Sequence, residues 1–344
     1  MTVESLVRPN IKALRPYSSA RSEFKGSAEV FIDANENPFE TGLNRYPDPL
    51  QWNLKKKIST LVRLPKENIF LGNGSDEVID LLIRIFCEPR VDHIITVPPT
   101  YGMYKVSASI ADIAVKEVLL TTDYQPRVDA ILAATTPQSK ILFLCSPNNP
   151  TGNDMQPVLV QELLDKFPGI IVVDEAYIDF SSQKSFSQYI DQYPNLVVTQ
   201  TFSKAWGLAG IRLGMAFASR EIIHYFNKVK PPYNVNQLTQ KAALEALNDT
   251  KTKTDWVFTI LRERDKVAAD LAAFSFVQKV YPSDANFLMT KVDDPLDLYQ
   301  YLVTKGIIAR DRSTVPLCEG CLRFTVGRPE ENKQLLAALK AYKK

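Results

Sequence analysis

The sequence predicts an α/β fold in which a mostly parallel sheet is covered by helices on both faces and is followed by a smaller α+β domain. Three observations lead to this prediction. Between about residues 70 and 220, short β-rich runs alternate with longer amphipathic stretches. The β-rich runs are apolar at consecutive positions, which is typical of strands buried on both faces. Beyond about residue 275 come shorter candidate strands and two helices.

The large sheet is expected to contain six strands. They are predicted at residues 93–97, 114–120, 141–145, 170–174, 196–201 and 213–218. Helical patterns lie between several of them, for example at 78–86 and 157–167, where apolar residues recur with a 3.6-residue period. Helical patterns also dominate residues 219–273.

The smaller domain is expected to contain strands at residues 286–290, 307–310 and 322–326. The proline-rich first 50 residues are interpreted as an extended arm. The chain is therefore predicted to divide into three parts: an N-terminal arm with part of the small domain at 1–45, a large domain at 46–272 and a small C-terminal domain at 273–344.

Composition excludes several classes of function. A net charge of +2 over 344 residues gives no general field for nucleic acid or an acidic membrane, so an anion must be bound by local groups. No apolar run approaches the roughly 18 residues of a membrane span, and the first residues lack a secretion signal. Four cysteines do not make a disulfide framework, so a cytoplasmic protein is expected. Cys318 and Cys321 lack neighbouring ligand residues, and no metal site is predicted.

Polar motifs follow three of the predicted strands. SPNNPTG follows the strand at 141–145, Asp174-Glu175-Ala176-Tyr177 ends the strand at 170–174, and SKAWGLAGIRLG follows the strand at 196–201. In sheets of this kind, functional groups collect where strands end. Each motif also has a plain structural interpretation: a turn for SPNNPTG, a helix cap or salt bridge for Asp174, and a surface lysine for Lys204.

Lys204 and Asp174 together fit a pyridoxal phosphate site. Burial beside a core strand lowers the pKa of a lysine amine and makes it nucleophilic toward aldehydes. A carboxylate beside the pyridine nitrogen keeps that nitrogen protonated, which makes the ring an electron sink. We therefore interpret Lys204 as a Schiff-base lysine and Asp174 as the partner of the ring nitrogen.

The remaining polar groups near these strand ends suit the rest of the same cofactor. Asn149 and Tyr177 can donate hydrogen bonds to its phenolate oxygen, and Ser203 and Arg212 suit its phosphate. All follow or flank a predicted strand, so they are expected to converge on one edge of the sheet.

SPNNPTG, DEAY and SKAWGLAGIRLG, in this order, resemble the signature of the fold-type I, class II pyridoxal-phosphate aminotransferases. The motifs FIDANENPF, NRYPDP, GNGSDEVIDLLIRIFCEP, PPTYGMY, GIIARD and CLRFTVG narrow the resemblance to the histidinol-phosphate aminotransferases. It spans most of the chain. It implies a cytoplasmic homodimer with shared active sites that converts L-histidinol phosphate and 2-oxoglutarate into imidazole-acetol phosphate and L-glutamate, in histidine biosynthesis.

The resemblance also implies roles for residues around the cofactor. Lys204 is the catalytic lysine that holds the cofactor, Asp174 binds the ring nitrogen, and Tyr101 stacks on the ring. Gly74-Ser75-Asp76 forms the phosphate cradle, with Ser75 capping the following helix. Because Asp76 and Glu77 are acidic, phosphate binding there requires their carboxylates to point away.

Other implied roles concern the neighbouring subunit and the substrate. Tyr46 is expected to reach the cofactor phosphate of the neighbouring subunit; without the resemblance, it is a tyrosine packed in a proline-rich loop. Arg323 is expected to bind the substrate α-carboxyl group or its equivalent, Arg310 and Tyr17 the distal phosphate, and Asn35 the substrate. Arg312 is a nearby cation to which no role is assigned.

Several other functions are weighed against this prediction. Threonine-phosphate decarboxylases and aromatic amino-acid aminotransferases share most of these motifs, and a non-catalytic binding protein of the same fold is a more distant alternative. A nucleotide-binding dehydrogenase is disfavoured because Gly72-Asn73-Gly74 lacks the third glycine of the fingerprint. A hydrolase using Asp174 and Glu175 is disfavoured because adjacent strand residues point to opposite faces.

Overall fold

The computed structural model describes residues 2–17, 24, 26 and 29–342; the part of the predicted arm at 18–23, 25, 27 and 28 lies outside the described residues. Over the described residues, the strands form a seven-stranded and a four-stranded sheet. The large sheet contains β1 Ile69–Asn73, β2 His93–Thr96, β3 Ala114–Glu117, β4 Ser139–Cys145, β5 Ile170–Asp174, β6 Leu196–Thr201 and β7 Leu213–Ala218. The small sheet contains β8 Val277–Val280, β9 Phe287–Val292, β10 Arg310–Asp311 and β11 Cys321–Thr325.

Helices precede, connect and follow these strands. They are α1 Val3–Leu6, α2 Pro9–Ala13, α3 Trp52–Val62, α4 Gly74–Phe86, α5 Met103–Ile110, α6 Val128–Ala134, α7 Pro157–Lys166, α8 Arg220–Val229, α9 Gln237–Ala246, α10 Thr250–Ala272, α11 Pro295–Thr304 and α12 Pro329–Ala341. None of the helices in the described ranges is long and apolar enough to cross a membrane.

The large sheet is mostly parallel, as predicted. Its strands lie in the order β1-β7-β6-β5-β4-β2-β3. Strands β2 to β6 pair in parallel, whereas β7 runs antiparallel to both β1 and β6. The carboxyl ends of β1, β4, β5 and β6 therefore meet at one edge of the sheet, together with the start of β7.

Both faces of this sheet are buried, which explains the continuous apolar runs in its strands. Along β4, Ile141 and Phe143 pack into the cluster formed with α4 and α8, while Leu142 and Leu144 pack into the cluster formed with α3 and α7. Burying one such side chain contributes roughly 1.5–3 kcal/mol. The layers hold the strand ends, and hence the polar residues that follow them, in fixed positions.

The small sheet is antiparallel and has the order β10-β11-β9-β8. It packs against α11, α12 and the end of α10 through a separate cluster that includes Val267, Leu298 and Leu335. The strand predicted at 307–310 is wrong over most of its length, because pairing covers only Arg310 and Asp311. Strands were not predicted at β1 and β8.

The N-terminal residues differ from the extended arm that the sequence predicted. Residues 3–13 form two short helices, and Val3, Leu6, Val7 and Ile11 are buried in the cluster beneath the large sheet. Pro9 occupies the first turn of α2, where its missing N–H has no cost. The domain boundaries after residues 45 and 272 stay predictions.

Candidate active site

A cavity of about 430 Å³ opens at the edge of the large sheet where the parallel strands end. Its volume lies within the usual range for small-molecule sites. The structure brings most of the predicted site residues to its walls: Gly74, Ser75, Asp76, Tyr101, Asn149, Asp174, Tyr177, Ser203, Lys204, Arg212, Arg310 and Arg323. The convergence follows from the topology, because the loops after β1, β4, β5 and β6 all lie at this edge.

Lys204 follows β6 on a short loop anchored by buried Phe202 and Ala205. Its Nζ atom lies 5.4 Å from the ring centroid of Tyr177. The lysine is accessible from the cavity, so its amine is less enclosed than the sequence suggested. Desolvation by the surrounding protein, followed by the charge of Arg323, nevertheless lowers the pKa of Lys204. A larger neutral fraction of the amine is therefore available as a nucleophile.

Asp174 ends β5 and is 3% exposed. Its carboxylate accepts hydrogen bonds from Tyr104 Oη at 2.7 Å, Thr199 Oγ1 at 3.1 Å and the backbone N–H of Ala176 at 3.1 Å. All three donors are neutral, and burial raises the pKa of the carboxyl group. A cationic ligand group at this position would stabilise the charged carboxylate.

Glu175 is the next residue, and its side chain does not line the cavity. Its carboxylate accepts hydrogen bonds from Ser185 Oγ at 2.6 Å, the Phe186 N–H at 2.6 Å and Gln200 Nε2 at 2.8 Å. Burial raises the pKa of Glu175 to about 7. The two adjacent carboxylates thus belong to separate hydrogen-bond networks, and only Asp174 lines the cavity.

Aromatic and amide groups form the walls between Lys204 and the arginines. Tyr177 is held by edge contact with Phe287, with ring centroids 5.1 Å apart. The side-chain oxygen of Asn149 accepts a hydrogen bond from Arg323, which orients its NH₂ group as the available donor. Tyr101 Oη donates to Asp76 Oδ1 at 3.1 Å.

The N-terminus of α4 forms one end of the cavity. Its first residue, Gly74, has a φ of +75°, and a Cβ there would lie 2.7 Å from a guanidinium nitrogen of Arg212. A Cβ on Gly214 would lie 2.2 Å from the backbone nitrogen of Ser75, so this turn is pressed against β7. The arrangement leaves backbone N–H groups facing an anion-sized space.

The acidic residues of this helix divide between two orientations. Glu77 turns back, as phosphate binding requires, and accepts from the Asn73 N–H at 2.5 Å. Asp76 instead lines the cavity, where its charge is opposed by Arg212 at 3.4 Å. The prediction that Ser75 caps the helix is wrong, because α4 begins at Gly74 and Asn73 occupies the cap position.

Three arginines of the cavity come from β10, β11 and the segment between them. Arg310, Arg312 and Arg323 all line the cavity, and burial lowers the pKa of Arg312 and Arg323. The guanidinium carbon of Arg323 lies 5.1 Å from the centroid of the Phe287 ring. These guanidinium groups can therefore bind an anionic group of a ligand in the cavity.

Three predicted site residues lie outside this cavity in the single chain. Tyr46 and Asn35 line a different surface cavity, and the Tyr46 ring stacks on Tyr233 with centroids 4.4 Å apart. Tyr17 is 72% exposed and lines a third cavity, beside Lys228 and Lys230. The single chain therefore does not bring these three residues to the cavity at which their roles were predicted.

Sequence reasoning missed several residues that touch or support the cavity. Tyr104 and Thr199 donate to Asp174, and Thr201 lines the cavity and bonds to the Ser203 side chain at 3.0 Å. Tyr104 lies in the quoted motif PPTYGMY, three residues after Tyr101, so helical spacing could have identified it. Thr199 carries no such signal, because its partner comes from a neighbouring strand.

The cavity fits pyridoxal phosphate on three structural grounds. Asp174 is a buried carboxylate with neutral donors only, which suits a pyridinium nitrogen. Lys204 has an accessible amine with a lowered pKa, which suits an aldehyde. The α4 N-terminus, Ser203 and Arg212 suit a phosphate, with the Asp76 carboxylate opposed by Arg212, and a side chain on Gly74 would press on the Arg212 guanidinium.

Comparison with known proteins gives an independent result. The family model described as aminotransferase class I and II matches residues 24–339. The chain is 54% identical over 345 residues to histidinol-phosphate aminotransferase from Cytophaga hutchinsonii, covering 99% of both chains. It is 52% identical over 342 residues to the protein of the same name from Bacteroides thetaiotaomicron, again covering 99% of both.

Solved structures show the same fold. The crystal structure of histidinol-phosphate aminotransferase from Clostridium acetobutylicum matches with a TM-score of 0.80 and 26% identity, covering 87% of this chain and 91% of that chain. The structure of histidinol-phosphate aminotransferase from Sinorhizobium meliloti in complex with pyridoxal-5'-phosphate matches with a TM-score of 0.78 and 24% identity, covering 86% and 82%.

Proposed function

Because this chain belongs to the aminotransferase class I and II family, we propose that it transfers the amino group of L-histidinol phosphate to 2-oxoglutarate with pyridoxal phosphate as cofactor. The products are imidazole-acetol phosphate and L-glutamate, and the reaction belongs to histidine biosynthesis. The observation that carries the proposal is the placement of Lys204 and Asp174 in one cavity with Arg310, Arg312 and Arg323.

The cofactor supplies an aldehyde that accepts the amino group and a cationic ring that withdraws electrons from the reacting carbon. With the cofactor bound, Lys204 would hold it through Nζ and, when free, would act as the base for the substrate Cα proton. Asp174 would keep the ring nitrogen protonated, and its hydrogen bonds from Tyr104 and Thr199 keep the carboxylate in position. Tyr177 and Asn149 would serve as hydrogen-bond donors to the phenolate oxygen.

The arginines that line the cavity, Arg310, Arg312 and Arg323, account for how one site can bind two different substrates. L-Histidinol phosphate carries a phosphate and no carboxylate, whereas glutamate carries two carboxylates. Guanidinium groups bind both kinds of anion through paired N–H donors. We propose that Arg323 and Arg310 hold the phosphate in one half-reaction and carboxylate in the other.

The substrate assignment is tested by assaying the purified protein with three amino donors. We expect turnover of L-histidinol phosphate with 2-oxoglutarate at a kcat/KM at least about tenfold above that for L-phenylalanine, because only the former presents a phosphate to the arginines. O-Phosphothreonine should not be decarboxylated. Activity confined to phenylalanine or phosphothreonine would contradict the assignment.

We also propose that the active form is a homodimer with shared active sites. Tyr46 is half-exposed and lies outside the main cavity, in a surface cavity that Leu43 also lines, and the nearby segment of the chain also exposes Val30, Ile32 and Phe39. Neighbouring exposed apolar side chains of this kind are typical of protein interfaces. In a symmetric dimer, Tyr46 of each chain can then bind the cofactor phosphate of the partner.

Complementation between two defective variants tests this sharing. Lys204→Ala and Tyr46→Ala chains carrying different tags are co-expressed, so that half of the dimers are hybrids. If Tyr46 serves the partner's site, each hybrid has one intact site, and the mixture should show about a quarter of the wild-type activity. Activity no higher than half that of pure Tyr46→Ala enzyme at the same total concentration would show that each chain uses its own Tyr46.

A cytoplasmic location is proposed on two observations. All four cysteines are free and buried, which suits a reducing compartment. The described helices include none that could span a membrane. Partners other than small-molecule substrates and a second copy of the chain are not needed for the proposed reaction.

A further inference from the structure

The small sheet presents three arginines on one face of a strand pair. Arg310 in β10 lies opposite Arg323 in β11, and the Arg312 N–H donates to the Cys321 carbonyl at 2.9 Å, which continues the ladder. Because side chains alternate along a strand, Arg310 and Arg312 project to the same face. All three arginines line the cavity.

The residue between them faces away from the arginines. Asp311 accepts hydrogen bonds from the Ser313 N–H at 2.8 Å and the Ser313 hydroxyl at 2.6 Å. Throughout the described ranges, none of the three guanidinium groups has a carboxylate within ion-pair distance. Among the residues that the structure describes, these three positive charges therefore have no ion-pair partner.

Arg312 is the least satisfied member of this cluster. Its Nε atom is buried and has no hydrogen-bond partner in the part of the chain that the structure describes. Arg323, by contrast, donates to Asn149. Burial, then the charges of Arg323 and Arg310, lower the pKa of Arg312. A bound anion would relieve the repulsion among the three guanidinium groups.

Arg312 also lies where a ligand can reach it. It lines both the main cavity and an adjoining cavity of about 240 Å³, with Tyr101 and Asn149 on the boundary between them. Arg312 is therefore within reach of a ligand bound in the main cavity.

We propose that Arg312 is a specificity-determining residue that binds the distal phosphate of the substrate together with Arg310 and Arg323. The inference rests on the proposed function. A planar carboxylate offers two oxygens, which one or two guanidinium groups satisfy, whereas a phosphate offers three terminal oxygens in a tetrahedral arrangement. The third arginine thus adds binding mainly for the phosphate substrate and little for glutamate.

The test compares Arg312→Gln and Arg312→Lys with the wild-type holoenzyme. The wild type must first turn over L-histidinol phosphate, since failure there contradicts the proposed function and not this inference alone. In Arg312→Gln we expect the KM for L-histidinol phosphate to rise about tenfold, with that for L-glutamate changed less than about threefold. Lysine keeps the charge without the paired donors and should give an intermediate KM.

Arg262→Gln is the matched control, because Arg262 is exposed on α10 and outside the cavity while the change in charge is the same. It should leave both KM values unchanged. Competitive inhibition by inorganic phosphate gives a second readout, and its inhibition constant should rise in Arg312→Gln in parallel with KM. Equal effects on both substrates, or unchanged KM and inhibition by phosphate in a folded Arg312→Gln enzyme, would overturn the inference.

Discussion

Replacement of Lys204 by alanine is expected to lower kcat by about four orders of magnitude or more, because it removes both the amine that binds the aldehyde and the base that takes the Cα proton. No other lysine lines the cavity among the described residues, so no neighbouring amine can take its place. Steady-state turnover of L-histidinol phosphate with 2-oxoglutarate measures the effect.

Lys241→Ala provides the control for this prediction. Lys241 is exposed on α9 and does not line the cavity, and alanine preserves the helix. The control should keep wild-type turnover and the visible absorbance band of the lysine-bound cofactor, whereas Lys204→Ala should lose both. Normal turnover by the Lys204→Ala enzyme would show that another lysine is the catalytic one.

Replacement of Asp174 by asparagine is expected to lower kcat by about two to four orders of magnitude, because the neutral amide no longer holds a proton on the ring nitrogen. The substitution is isosteric, and it keeps an oxygen that can accept from Tyr104 or Thr199. Turnover measured at saturating cofactor separates this effect from weaker cofactor binding.

Asp174→Asn is expected to lower activity but not the thermal stability of the cofactor-free protein. Burial raises the folded-state pKa of Asp174, so ionisation of this group opposes folding as pH rises through that pKa. Asparagine removes the buried charge, and the Tm of the cofactor-free variant at pH 7 should equal or exceed that of the cofactor-free wild type. A large fall in Tm together with lost activity would instead indicate a structural role.

Glu175→Gln is the matched control for Asp174→Asn. It makes the same chemical change one residue further along the chain, at a buried carboxylate bonded to Ser185, Phe186 and Gln200. Because Glu175 does not line the cavity, kcat should stay within about threefold of wild type. Equal losses in both variants would contradict the specific role assigned to Asp174.

The central layer of the fold was predictable because its strands are buried on both faces. The strands at 170–174, 196–201 and 213–218 were predicted with the bounds that the structure shows. In contrast, β8 contains Gln278 and Lys279 and is only partly buried, so its sequence lacks an apolar run. The N-terminal helices are short and are stabilised by packing against the core, which local sequence does not reveal.

The same distinction applies to the candidate site, where some residues could be predicted from the sequence and others could not. Residues that directly follow buried strands, such as Asn149, Asp174 and Lys204, could be placed at one edge from the order of strands alone. The hydrogen bond from Thr199 to Asp174 and the position of Arg312 at the cavity could not be predicted, because both depend on pairing between strands that are distant in sequence. Tyr46 lies outside the cavity of the single chain, and its proposed role requires a second chain, so a single chain does not place it at the site.

Reduction of the holoprotein with sodium borohydride, followed by peptide mass spectrometry, tests the central claim most directly. The reagent fixes the cofactor to whichever amine holds it. Burial also lowers the pKa of Lys55 and of Lys230 to about 8, so low pKa alone does not single out Lys204. We predict that the mass of the reduced cofactor appears on Lys204. Labelling of Lys55, Lys230 or any other lysine in its place, or no labelling at all, would contradict the account.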